Sequence, residues 1–100
     1  MITAKPLKAF SVNGRSILTC RVADQNPHVL IGKKLWFYSS VTAAKRIFIE
    51  GLSTASDIRK NEYDLHYTGD EVLPSDISDE ALIADGPLEA AVREQASQVR

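Results

Sequence analysis

One hundred residues, 44% apolar and 25% charged, match one globular domain spanning 1–100, with an end open to fraying beyond about residue 97. The net charge of −1 is split: residues 1–60 carry ten bases against three acids, and residues 61–100 carry ten acids against two bases. This composition excludes a membrane-spanning helix, since the longest apolar stretch, Leu35 to Phe48, is interrupted by Ser39, Ser40, Thr42, Lys45 and Arg46; it also excludes an internal disulfide, because Cys20 is the single cysteine.

The first predicted element is a β-hairpin over "KPLKAFSVNGRSILTCRVA", with β-forming residues on both sides of Asn13-Gly14. A two-residue loop would pair Val12 with Arg15 and Phe10 with Ile17, and would divide the apolar residues between two faces. A three-residue loop with Gly14 as a bulge places Phe10, Leu18, Cys20 and Val22 together, and burial of one apolar face favours that register. Asp24 to Pro27 then reads as a loop. His28 to Ile31 is a short apolar run ending at Gly32, suited to extending the next strand or lying at an edge.

From Lys33 a third strand follows. Its period of two places Leu35 and Phe37 on one face and Lys34, Trp36 and Tyr38 on the other. Ser39 or Ser40 can cap a helix over "VTAAKRIFIEGLSTA", in which Ala44, Phe48 and Leu52 form an apolar stripe at four-residue spacing, with Arg46 and Glu50 outside it. Ile49 breaks that pattern. Leu35, Phe37, Ala44 and Phe48 are accordingly expected in the core. A polar segment, Ser53 to Asn61, leads to "EYDLHYTG", whose alternation of Tyr63, Leu65 and Tyr67 predicts a half-buried strand. Val72 to Pro74 reads as extended. Ser78 can cap a short helix through Ile83, and Pro87 can open a longer last helix, "PLEAAVREQASQVR". The expected fold is therefore α+β: a small antiparallel sheet of an N-terminal hairpin plus two further strands, one helix between strands 3 and 4, and one short and one longer C-terminal helix.

Few motifs in this chain carry chemistry. Two histidines and one cysteine supply no metal-ligand set, and there is no phosphate-binding glycine loop, so neither metal nor cofactor is expected. A nucleophile would have to come from Cys20 with His28 or His66, yet the expected register points the thiol inward as a small hydrophobe. His66, beside Asp64 on the polar face of its strand, is the one conceivable general base, but a solvated surface histidine is the favoured reading. No enzyme activity is expected.

The stretch "GKKLWFYSSVTAAKR" is the strongest lead. Lys33, Lys34, Trp36, Tyr38, Lys45 and Arg46 would set aromatic platforms beside cations, a surface suited to a protein partner or to stacked bases. The opposing reading buries Trp36 and Tyr38 beneath the C-terminal helix. The sequence thus suggests a cytoplasmic, non-enzymatic binding or regulatory protein acting through protein–protein contact, with itself as one candidate partner in a homodimer. A nucleic-acid-binding module using the same residues is the alternative, and no membrane contact is expected.

Overall fold

The computed structural model describes residues 2–22, 26–54 and 61–90. Among the described residues the fold is mostly β, with six antiparallel strands closed into a barrel. The strands are β1 (Thr3–Val12), β2 (Arg15–Arg21), β3 (Lys34–Ser39), β4 (Thr42–Thr54), β5 (Glu62–Gly69) and β6 (Leu82–Ala84), arranged around the barrel as β1-β2-β5-β4-β3-β6. Closure is made by the three-residue β6, which pairs with β1 through Thr3↔Ala84 and with β3 through Trp36↔Ala84.

This architecture corrects the α+β expectation at two segments. The segment expected as the helix between strands 3 and 4 is β4, paired with both β3 and β5. Ile47 and Ile49 point into the barrel and are essentially unexposed, while Ala44 is exposed and Phe48 is half-buried on the outside. The false helical stripe of Ala44, Phe48 and Leu52 combines the two faces of the strand, the first two lying outside and Leu52 inside. A bulge leaves Glu50 as an extra residue between Ile49↔Tyr67 and Gly51↔His66, so the inward side moves from Ile49 to Leu52. Leu52 thereby falls four residues after Phe48, at a helical spacing, although the two side chains lie on opposite faces of the strand, whereas the β-forming run Ile47-Phe48-Ile49 was the usable signal.

The second correction concerns Ser78 to Ile83, expected as a short helix. Here the chain turns at 79–80 and enters β6, whose residues Leu82, Ile83 and Ala84 are all buried. Of the longer C-terminal helix, residues 88–90 are helical directly after Pro87, and the remainder lies outside the described residues, as does the end beyond residue 97.

The hairpin exists, but in the register that had been set aside. Val12 pairs with Arg15 and Phe10 with Ile17 across a two-residue turn, with Asn13 at φ 53° and Gly14 at φ 77°. An irregularity between Pro6 and Lys8 lets Ala4, Pro6 and Ala9 all face inward. β2 is buried on both sides: Leu18 and Cys20 face the core, while outside Ile17 lies beside Phe10 and the Thr19 hydroxyl donates to Asp64 Oδ1 at 2.6 Å.

The core comprises Leu18, Cys20, Leu35, Phe37, Ile47, Ile49, Leu65, Tyr67 and Ile83 inside the barrel. Leu30 joins it from a 3-10 turn, Pro27–Leu30, where a strand or edge segment had been expected. The Asn26 side chain caps this turn by accepting from the His28 N–H at 3.0 Å. At another part of the barrel, Lys45 Nζ meets Asp76 Oδ2 at 2.8 Å and donates to the Glu71 carbonyl, tying β4 to the 3-10 turn Pro74–Asp76. Lys5 likewise reaches the carbonyls of Ser78, Asp79 and Ala81 and fastens the approach to β6.

Candidate functional site

The outward-facing side chains of β3 and β4 form the candidate site. Strand alternation places Lys34, Trp36 and Tyr38 on the barrel exterior, and the register sets Arg46 directly across from Trp36. The Arg46 guanidinium carbon lies 4.4 Å from the centre of the Trp36 ring, a cation–π contact worth about 0.5–1 kcal/mol where solvent reaches it. Trp36 and Tyr38 stack with centroids 6.4 Å apart and planes 23° from parallel. Both rings are half-buried.

Tyr38 is also anchored. Its hydroxyl donates to the Gly86 carbonyl at 2.7 Å, which holds the chain after β6 against this face, and its ring packs on Leu82 and Ala84. Burial pushes the Tyr38 phenol above its ordinary pKa, against the opposing pull of Arg46. The turn that follows β3 is made by the residues expected to cap a helix. Ser39 Oγ accepts from the Val41 N–H at 3.3 Å and donates to the Asp76 carbonyl at 2.6 Å, while Ser40 Oγ donates to Glu80 at 2.8 Å. A serine hydroxyl two residues before an N–H serves a turn as readily as a helix start, so the residue type alone did not discriminate.

The expected site residues thus divide. Trp36, Tyr38 and Arg46 are brought together, with Lys34 on the same face and Lys33 exposed just before the strand. Lys45 does not join them: it pairs with Phe37 in register and spends its ammonium on Asp76. Among the described residues, Lys33, Lys34 and Arg46 make no ion pair. Residues 88–90 follow the segment latched by Tyr38; the expectation that the C-terminal helix covers Trp36 and Tyr38 falls on residues outside the described ones.

Other candidate chemistry is placed as follows. Cys20 is completely buried, and burial raises its thiol pKa far above the ordinary range, so it is not a nucleophile in the folded chain. No group of three His, Cys, Asp or Glu side chains among the described residues could hold a metal ion. For His66, expected as a solvated histidine with a general base as the alternative, the structure sets Nε2 3.3 Å from Ser53 Oγ, on the wall of an open groove of about 760 Å³ beside the β4 bulge. Sequence reasoning missed this groove because it depends on the bulge, although Gly51 within an apolar run was a signal for one.

Comparisons of the chain with protein-family models, with curated proteins and with solved structures found no match.

Proposed function

We propose that this protein is a non-enzymatic binding protein that docks an acidic protein surface on the outer face of β3 and β4. The observation that carries the reading is the Trp36–Tyr38–Arg46 cluster: two half-buried aromatic rings braced by a guanidinium and by the Gly86 carbonyl. Tryptophan, tyrosine and arginine are the residues on which interface energy concentrates, and bracing lowers the ordering cost of binding. Lys33, Lys34 and Arg46, exposed and with side chains in no ion pair among the described residues, favour negative charge opposite them. A second copy could supply such charge from its acidic residues 61–100, and this would make the complex a homodimer.

Nucleic acid is the second reading, supported by the same cations and rings. It is weakened by the loss of Lys45 to its ion pair and by the Trp36 ring already being stacked on Arg46 and Tyr38. Affinity capture with the intact protein, beside the Trp36→Ala and Arg46→Ala variants, tests the proposal. The expected result is an acidic protein retained by the parent and lost by both variants, each substitution costing about 2 kcal/mol or more. Retention unchanged in both variants would refute the assignment of this face. Retention of single-stranded nucleic acid with a steep loss of affinity in salt would establish the second reading in its place.

A further inference from the structure

Gly51 occupies the middle of β4, where glycine weakens a strand relative to alanine. It stands beside the β4 bulge, but neither a left-handed backbone nor a close neighbour requires a glycine there. Its φ lies outside the left-handed region, and a Cβ built there would meet only the His66 Cβ, at an ordinary 3.9 Å. What the missing side chain provides is space. The groove of about 760 Å³ runs over Gly51, with His66 and Thr68 of β5 beneath it, the bulged Glu50 on one wall and Arg15 of β2 on the other. His66 is held in place by Ser53 at 3.3 Å.

The walls have opposite charge and do not neutralise each other. Among the described residues, neither Arg15 nor Glu50 makes an ion pair, and both are exposed. They stand on strands separated by β5, so their backbones are roughly 10 Å apart, two interstrand spacings. We propose that this groove binds a small zwitterion whose two charges are separated by about two residues' length, its anionic group on Arg15 and its cationic group on Glu50, with His66 and Thr68 bonding the polar centre. An α-amino acid, whose charges sit on one carbon, spans too little. This site is separate from the Trp36 face and does not depend on the function proposed for it.

The test uses the full chain, isotopically labelled, with glycylglycine as probe, since two residues span roughly 7 Å. Glycine, N-acetylglycylglycine and glycylglycinamide serve as controls that shorten the probe or remove one charge. Glycylglycine is expected to produce saturable shifts at the Gly51 and Thr68 amides and the His66 ring, with each control about fivefold weaker, as loss of one exposed charge pair implies. Arg15→Gln should erase the preference over glycylglycinamide and Glu50→Gln the preference over N-acetylglycylglycine. Gly51→Leu, which fills the space without backbone strain, should abolish all shifts while leaving the remaining spectrum folded. Equal shifts from the capped probes, shifts that survive Gly51→Leu, or no saturable shift at these positions would each overturn the proposal.

Discussion

At the scale of single residues, two glycines of neighbouring strands make opposite demands. Gly69 has φ +106°, and a Cβ there would lie 2.6 Å from the Arg46 carbonyl oxygen, whereas Gly51 tolerates a Cβ. Gly69→Ala should therefore destabilise the protein by about 1–3 kcal/mol, while Gly51→Ala should be neutral or stabilise it by up to about 1 kcal/mol; urea unfolding of the two variants measures the difference. Cys20 supplies a second residue-scale expectation. Its buried thiol, with its pKa pushed upward by burial and by Asp64, should react with an aromatic disulfide reagent only on unfolding, so that the reaction rate follows the opening of the barrel. That Cys20 points inward was legible in the sequence even though the hairpin register was not. The inward set of β2 follows from Leu18-x-Cys20, whichever residue of β1 lies opposite.

At the scale of elements, the contact between β4 and the 3-10 turn Pro74–Asp76 has a defined pH dependence. Asp76 accepts from Lys45 and from the Leu73 N–H at 2.9 Å, and these bonds hold its pKa below the ordinary carboxylate value. A depressed folded pKa stabilises the protein at pH values above the unfolded pKa of about 3.9, and that stabilisation is lost as pH falls through the lower folded value. Asp76→Asn should remove this part of the acid transition, measured as midpoint denaturant concentration against pH. Lys45→Met should cost about 1.5–3 kcal/mol through the hydrogen bonds it deletes, against less than about 0.5 kcal/mol for Lys34→Ala on the outer face. The two lysines are indistinguishable by residue type, and their difference arises from which side of the sheet each strand register presents. For β3 and β5 the alternation of apolar residues was uninterrupted and the strands were readable. In β4 the extra Glu50 concealed the alternation, and in β6 three residues were too few to display any.

At the scale of the whole molecule, the barrel closes through β6, which joins the first strand to the third. A chain ending after Ala81 would leave β1 and β3 with unpaired edges beside an opened core, and light scattering should show it to self-associate while the intact barrel does not aggregate. Because the closing pairs, Thr3↔Ala84 among them, join distant parts of the chain, refolding should take milliseconds to seconds, not the microseconds of local helical folds; stopped-flow fluorescence of the single Trp36 reads this directly. The same fluorescence measures the proposed docking face, since partner binding at Trp36 should shift its emission to the blue.

The sequence by itself determined the hairpin turn at Asn13-Gly14, the strands containing Leu35-Phe37 and Leu65-Tyr67, and the placement of Trp36 and Tyr38 on one face of their strand. Each of these is a local matter of turn chemistry or of a period of two that needs no knowledge of the neighbouring strand. The tertiary structure alone decided that β4 is a strand, that β6 closes the barrel, that Arg46 and not Lys45 reaches Trp36, and that a groove opens over Gly51. All four depend on which strands lie side by side and where an extra residue interrupts their pairing, and that information resides in contacts between distant segments, not in the periodicity of any one of them.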